Sequence, residues 1–234
     1  MDKKRVSVIS PVYNEIESIE PFLTALLSKI GPNDEIIVVD DNSPDGTWKK
    51  VEEMSKKDKR IRLLNRLNKR GPASAIRDGA AIAKGNIFLW LDIDMDPKII
   101  PTMIGEIGSY DVVIGSRYVK GGKDKRNFFR FITSFFINFA ATLLLNPTIR
   151  DYSTGYVAVK REVYEKITFT SEGYGEYCIE FLYKCTKAGL RIKEIPYIYG
   201  SRTSGKTKAF PKITSYLKHI YNYSKMLLKL SFSS

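Results

Sequence analysis

Five consecutive apolar residues, 87–91, end at three carboxylates on alternate positions, and this stretch constrains the fold most. Such a run is typical of a strand buried on both faces, as in a parallel sheet. Alternate residues of a strand point the same way, so Asp92, Asp94 and Asp96 would crowd together if the strand continued. The alternative is an acidic turn in which Pro97 begins a helix. The apolar strand and the third carboxylate favour a metal site, with Mg²⁺ or Mn²⁺ offsetting the repulsion.

The same pattern, an apolar strand that ends at polar residues and leads into a helix, recurs through the first half of the chain. Strands are predicted at residues 6–10, 35–39, 61–64 and 87–91, with helices between them. This alternation predicts a parallel α/β sheet with helices on both faces. Ligands bind such sheets outside the carboxyl ends of the strands. Residues 11–15, 40–41 and 92–96 are therefore expected to face one crevice.

The second half is less regular. The predicted elements are a strand at 111–115, a basic loop at 120–126, an apolar helix or helix pair at 128–145, a short strand at 157–159, a helix at 178–188 and an edge strand at 192–199. The final element, at 213–230, is a basic amphipathic helix. It could pack its apolar stripe on the domain, contact a membrane surface, or precede a missing membrane segment.

The chain is basic, since 38 Lys and Arg residues against 26 Asp and Glu give a net charge of +12. This charge suggests a polyanionic partner: nucleic acid, an anionic membrane surface or a phosphorylated substrate. Two cysteines, Cys178 and Cys185, form neither a disulfide framework nor a zinc site, which favours a reducing compartment. We see no stretch of signal-peptide character and no uninterrupted run of about 18 apolar residues.

Several motifs, taken together and in order, carry a family resemblance. They are residues 10–15 (SPVYNE), 39–47 (VDDNSPDGT), 69–71 (KRG) and 92–94 (DID). In this respect the chain resembles the inverting nucleotide-sugar glycosyltransferases of family 2. The resemblance implies the GT-A fold, a Rossmann-like, mostly parallel sheet flanked by helices, here with amphipathic interface helices. Residues 115–122 (GSRYVKGG) and 202–208 (RTSGKTK) look like dolichyl-phosphate sugar synthases, mannose synthases most of all.

The resemblance implies a donor site and a metal site. The positions that match contacts to the base, ribose and diphosphate are Pro11, Tyr13, Glu15, Val39, Asp41, Asp92, Ile93 and Asp94. Asp92, Asp94 and Asp96 would hold Mg²⁺ or Mn²⁺, although the third position is usually Gln in this subgroup. Glu176 stands where mannose synthases carry Lys, which reverses a charge near the expected donor site.

The resemblance also implies an acceptor-phosphate site. Its matching positions are Arg117, Arg130 and Ser134, with Arg202 and Lys208 as a basic C-terminal clamp. A phosphate monoester is largely ionised at neutral pH, so no general base is needed and the protein only has to position an anion. The residues expected to carry catalysis are Asp94, Arg117 and Arg130.

These inferences predict a catalytic domain over residues 1–210 and a basic amphipathic C-terminal helix, a candidate membrane-proximal segment, over 211–234. The expected activity is transfer of mannose from GDP-mannose to dolichyl phosphate with inversion. A UDP-glucose-dependent polyprenyl-phosphate glucosyltransferase is the close alternative, and a basic lipid- or nucleic-acid-binding module is the non-enzymatic one. On the first interpretation the protein is peripheral on the cytoplasmic face of a membrane and binds no nucleic acid. A membrane-anchoring partner or a missing transmembrane segment would hold it there.

Overall fold

The computed structural model describes residues 4–68, 71–167, 169–170, 172–173, 175–200 and 213–232, with only the backbone given for 213–219. Seven strands of this part form the central sheet: β1 (Val6–Val12), β2 (Glu35–Asp40), β3 (Ile61–Asn65), β4 (Ile87–Trp90), β5 (Val112–Ser116), β7 (Val157–Lys160) and β8 (Ile192–Pro196). Two short strands, β6 (Lys123–Asp124) and β9 (Ile198–Tyr199), pair separately.

The strand order in the central sheet is β3-β2-β1-β4-β7-β5-β8. All neighbouring strands are parallel except β7, which is antiparallel to both β4 and β5. The predicted mostly parallel sheet is confirmed. The antiparallel direction of β7 was not predicted, because an apolar triplet such as residues 157–159 fits either direction equally well.

Helices cover both faces of this sheet. They are α1 (Ile19–Leu27), α2 (Thr47–Lys57), α3 (Pro72–Ile82), α4 (Ile100–Glu106), α5 (Phe128–Leu144), α6 (Arg161–Lys166), α7 (Glu176–Lys187) and α8 (Ile213–Ser231). Neighbouring residues of the inner strands enter opposite cores. Val8 and Leu89 pack with α1 and α4 on one face, whereas Ile9 and Trp90 pack with α3 and α7 on the other. This explains why the inner strands are uninterruptedly apolar.

The second half contains differences in detail from the sequence prediction. The apolar stretch at 128–145 is one helix, capped by Asn127, whose side chain accepts a hydrogen bond from the Arg130 N–H. The predicted edge strand splits in two, because β8 ends at Pro196 on the sheet edge and β9 leaves to pair with β6. Helices α4 and α6 were not predicted, since each spans less than two turns and has little periodicity.

Helix α8 packs against α5 and α7. Its Leu227 and Leu230 are buried in the core, and the hydroxyl of its Tyr223 occupies the space beside Gly175 where a side chain would otherwise lie. Among the described residues, no helix is both long enough and apolar enough to cross a membrane.

Candidate active site

Three neighbouring parallel strands, β2, β1 and β4, bring their carboxyl ends to one edge of the sheet. Pro11 pairs with Val39 and Val12 with Asp40, so the ends of β1 and β2 are level. The strand order reverses at β1, since β2 and β3 lie on one side and β4 on the other. Such a switch point opens a crevice for ligands. The predicted meeting of three strand ends is confirmed.

The loops after β1 and β2 are joined by hydrogen bonds. Asn14 donates its N–H to Ser43 Oγ at 2.9 Å, and Glu15 donates its N–H to Thr47 Oγ1 at 2.8 Å. Ser43 in turn donates its N–H and hydroxyl to the buried Asp40. Burial raises the pKa of the Asp40 carboxyl, although both bonds from Ser43 act in the opposite direction. Asp40 therefore stabilises the turn that follows β2.

Asp41 forms a buried ion pair with Arg66, which the sequence did not predict. Arg66 donates from Nε and Nη2 to Asp41 Oδ1 at 2.8 and 2.5 Å, and the Gly71 N–H donates to Oδ2 at 2.8 Å. Arg66 itself is buried at the end of β3. An arginine directly after an apolar strand was the available signal. The pair fixes the loop before α3 to the end of β2.

The remaining predicted donor residues lie around the same edge. Pro11, Tyr13 and Ile93 are partly exposed, whereas Glu15 and Val39 are buried. Any contact of Val39 with a ligand would come from its backbone, because its side chain packs in the core beneath α3. Their contacts to a base or ribose stay predictions.

The three carboxylates after β4 do not converge as the sequence suggested. Asp96 caps the 3₁₀ turn Pro97–Ile99: its Oδ1 accepts the Lys98 N–H at 3.0 Å, and its Oδ2 pairs with Lys98 Nζ at 3.0 Å. Within the described part of the chain, no three His, Cys, Asp or Glu side chains are grouped to hold a metal ion. The structure therefore corrects the three-carboxylate metal site. Strand geometry ends at Trp90, so alternate residues beyond it no longer share a side.

Asp92 and Asp94 remain at the crevice. Asp94 Oδ2 accepts a hydrogen bond from the Tyr199 hydroxyl at 3.0 Å. Asp92 lies over Gly155, where a methyl group would be 3.2 Å from Asp92 Oδ2. Burial, and then the Asp94 and Asp92 carboxylates, raise the pKa of Tyr199 well above its ordinary value, so its hydroxyl stays protonated and donates.

Arg117 is held by a buried carboxylate. Its Nε and Nη2 donate to Asp151 Oδ2 and Oδ1 at 2.8 and 2.6 Å, and its backbone N–H donates to Oδ2 at 2.9 Å. Burial disfavours its charge, but Asp151 outweighs this and raises the pKa of the guanidinium well above its ordinary value. Arg117 is only 4% exposed. The fork predicted to bind phosphate is thus directed at Asp151, and a direct phosphate contact of Arg117 stays a prediction.

Ser134, on the inner side of α5, lies in the same group of residues as Arg117. The link is Ser153 Oγ, which accepts from Arg117 Nη2 at 2.7 Å and from Asn138 Nδ2 at 2.8 Å, and lies 3.5 Å from Ser134 Oγ. Asn138 was not among the predicted site residues. A polar residue one turn after Ser134 in an otherwise apolar helix was its signal.

A further cation, Arg126, was also missed. It binds Asp124, whose side chain is fully buried, and its guanidinium lies 4.9 Å from the centre of the Tyr199 ring. The Arg117 guanidinium lies 5.9 Å from the same ring. Tyr199 thus contacts both Asp94 and the arginine side of the site.

The other predicted residues are placed as follows. Arg130 is partly exposed in the first turn of α5, one helical turn before Ser134. Glu176 is buried in the first turn of α7. Arg202 and Lys208 lie outside the described residues, as do Lys69 and Arg70.

Comparison with known proteins decides the family. The family model described as glycosyl transferase family 2 matches residues 7–168. The chain belongs to glycosyl transferase family 2. The resemblance inferred from the motifs is thereby confirmed.

Curated relatives extend over nearly the whole chain. A dolichol-phosphate mannosyltransferase of Pyrococcus furiosus is 36% identical over 94% of this chain, which spans 64% of that relative's length. A polyprenol monophosphomannose synthase of Mycolicibacterium smegmatis is 31% identical, covering 88% of this chain and 81% of the relative. A dolichol-phosphate mannosyltransferase of Saccharomyces cerevisiae is 30% identical, with 92% and 85% covered.

Among solved structures, the fold matches a glucosyl-3-phosphoglycerate synthase of Mycobacterium tuberculosis crystallised with Mn²⁺, UDP-glucose and phosphoglyceric acid. The TM-score is 0.74 at 19% identity, covering 97% of this chain and 80% of that one. The likeness establishes that the sheet and its helices form the GT-A fold of such transferases.

Proposed function

We propose that the chain transfers mannose from GDP-mannose to a dolichyl or other polyprenyl phosphate, with inversion. The observation that carries the proposal is the two-sided character of α5. Its inner side bears Ser134 and Asn138, which contact the Arg117 group through Ser153. Its outer side exposes seven large apolar side chains: Phe128, Phe129, Phe135, Phe136, Phe139, Leu143 and Leu144. A lipid phosphate needs a cation and an apolar surface side by side. The names of the curated relatives support transfer of mannose to a polyprenyl phosphate.

The donor side suits a divalent cation of the Mg²⁺ or Mn²⁺ type. Asp92 and Asp94 offer hard oxygen ligands at the crevice, and such ions are commonly held by one or two carboxylates together with substrate phosphates and water. Two protein carboxylates are therefore enough, and the capping role of Asp96 is no obstacle. A bound cation would offset the charge that develops on the diphosphate leaving group. The metal-bound structural neighbour is in keeping with this site.

The acceptor side needs positioning rather than a base. A phosphate monoester is largely ionised at neutral pH, so its oxygen can attack the anomeric carbon directly. We assign the holding of that anion to Arg130 and Ser134, with Arg117 oriented by Asp151, and to the predicted clamp of Arg202 and Lys208. Arginine suits this task because its fork donates two parallel hydrogen bonds to a phosphate.

The outer face of α5 would meet a membrane surface. Further exposed apolar side chains lie on α8, at Tyr221 and Leu228, and directly after it, at Phe232. Contiguous exposed apolar surface marks interaction sites, and basic charge adds attraction to anionic lipid. We place the protein on the cytoplasmic face of a membrane, as a peripheral protein. An anchoring partner or a further membrane segment could reinforce this contact, and no nucleic acid is required.

The direct test offers labelled GDP-mannose and UDP-glucose separately to the protein with dolichyl phosphate and Mn²⁺. We expect label in the lipid extract from GDP-mannose. Label from UDP-glucose alone would assign the alternative donor. Absence of lipid-linked label from both would refute the transferase proposal.

A second test addresses the membrane surface. Co-sedimentation with vesicles of anionic lipid should be strong for the wild type and weak for the variant F136S/F139S. Leu67→Ser, which replaces an exposed apolar side chain in the segment after β3, is the matched control. Tight binding to duplex DNA that survives 0.2 M salt, with no vesicle binding, would instead support the nucleic-acid-binding alternative.

A further inference from the structure

Tyr199 joins the two sides of the site. Its hydroxyl donates to Asp94 Oδ2 at 3.0 Å, and its ring lies 4.9 Å from the Arg126 guanidinium and 5.9 Å from that of Arg117. No sequence motif that we considered includes this residue.

The position of Tyr199 is set by the small β6–β9 sheet. Tyr199 pairs with Asp124, and its carbonyl accepts the Lys125 N–H at 2.8 Å. Asp124 also binds Arg126 through Nε and Nη2, so the cation and the ring are carried by one pair of strands. The ring additionally contacts that of Tyr197, with 5.9 Å between centres. Its backbone pairing and the contacts of its ring with Arg126 and Tyr197 hold the hydroxyl opposite Asp94.

We propose that Tyr199 is a positioning residue that holds the Asp94 carboxylate in the orientation that takes up the divalent cation and the donor diphosphate. This inference rests on the proposed function. Carboxylates that bind metals are themselves usually hydrogen-bonded by a second group, and loss of such a partner typically weakens metal binding by about 10- to 100-fold. Without the Tyr199 hydroxyl, Asp94 would have to be ordered at the moment of binding.

Tyr197 offers a matched control, because it is the tyrosine two residues before Tyr199 and its ring contacts that of Tyr199. Its hydroxyl makes no hydrogen bond to a carboxylate among the described residues. Tyr197→Phe removes the same atom as Tyr199→Phe, from the same small group of rings, without touching Asp94.

The experiment measures free Mn²⁺ by electron paramagnetic resonance while protein is titrated in the presence of GDP. We expect Tyr199→Phe to bind Mn²⁺ roughly tenfold more weakly than the wild type, and Tyr197→Phe to bind as the wild type does. Turnover of Tyr199→Phe should recover when Mn²⁺ is raised about tenfold, whereas its KM for polyprenyl phosphate should stay unchanged. A loss caused only by damaged folding would not recover with metal.

Two outcomes separate this inference from the proposed function. If the wild type binds Mn²⁺ with GDP and Tyr199→Phe binds it equally well, the positioning role of Tyr199 is refuted and the proposed function stands. If the wild type binds no Mn²⁺ with GDP or UDP, the proposed function fails and the inference fails with it. In an Asp94→Asn background, Tyr199→Phe should have no further effect on Mn²⁺ binding, and an additive effect would also overturn the inference.

Discussion

Replacing Asp151 by Asn should destabilise the protein strongly, because it leaves the Arg117 charge buried without its carboxylate. Three hydrogen bonds from Arg117 end on Asp151, which is fully buried. The Asn side chain has almost the same shape, but it presents an amide N–H₂ to one of the arginine donors. The variant therefore changes charge and hydrogen bonding and leaves packing nearly intact.

The magnitude follows from the burial of both partners. Removing one member of a buried ion pair typically costs about 3–5 kcal/mol, because the remaining charge loses its closest partner. Asp124 Oδ2, 3.4 Å from Arg117 Nη1, is a weaker second partner. For a chain of this length, each kcal/mol lowers the unfolding temperature by about 2–4 °C. We therefore expect Asp151→Asn to lower it by roughly 6–20 °C. Arg117→Met combined with Asp151→Leu should recover part of this loss, because both charges of the pair are removed and Asp124 keeps its pair with Arg126.

The assay is urea unfolding followed by circular dichroism, for the wild type, Asp151→Asn and the control Glu165→Ala. The control removes an exposed pair in α6, in which Arg161 and Glu165 are 39% and 58% exposed, and should cost only about 0.3–0.5 kcal/mol. A cost for Asp151→Asn below about 1 kcal/mol, similar to the control, would refute the buried-pair reasoning.

Two further variants test the donor side of the site and the loss of folding stability at low pH. Gly155→Ala places a methyl 3.2 Å from Asp92 Oδ2, so we expect a roughly three- to tenfold higher KM for the nucleotide sugar. The control is Gly105→Ala, whose methyl group meets open space and should leave this KM unchanged. Equal effects of the two variants on KM would count against a donor role for Asp92. Burial disfavours ionisation of Glu35, but hydrogen bonds from Ser7 and its other partners outweigh burial and lower the pKa of Glu35. The ionised Glu35 therefore stabilises the folded protein above about pH 4.5, and this contribution is lost as the pH falls through the lowered pKa. Urea midpoints measured against pH should therefore fall less steeply below pH 4.5 in Glu35→Gln than in the wild type; identical slopes would contradict this.

Much of the fold was predictable because apolar periodicity records burial. The inner strands are buried on both faces, so their sequences contain no polar interruption, and the polar residues that follow them mark the functional edge. The family motifs then indicated which function to expect at each of these strand ends. Strand direction was not predictable for β7, since its residues meet the same two apolar faces in either orientation.

The sequence predicted which residues belong to the site better than it predicted the contacts that these residues make. Asp96 is chemically able to bind a metal, but the helical turn beginning at Pro97 recruits its carboxylate as a cap. Arg66 and Tyr199 were missed because each gains its role from a partner distant in the chain, and such pairings are set by topology. Tyr199, for instance, reaches Asp94 across 105 residues of sequence. Arg126 pairs locally with Asp124, and only its contact with Tyr199 brings it to the site.

The central claim is that Asp94, together with a divalent cation, supports departure of the nucleotide in transfer to a lipid phosphate. Its most direct test compares Asp94→Asn with Asp96→Asn in the transfer of label from GDP-mannose to dolichyl phosphate. We expect Asp94→Asn to lose roughly a thousandfold in turnover while remaining folded, because several kcal/mol of charge stabilisation are removed. Asp96→Asn should keep most of its activity, since that side chain caps a turn and pairs with Lys98. Equal activity of Asp94→Asn and the wild type, with lipid-linked product formed by both, would contradict the account.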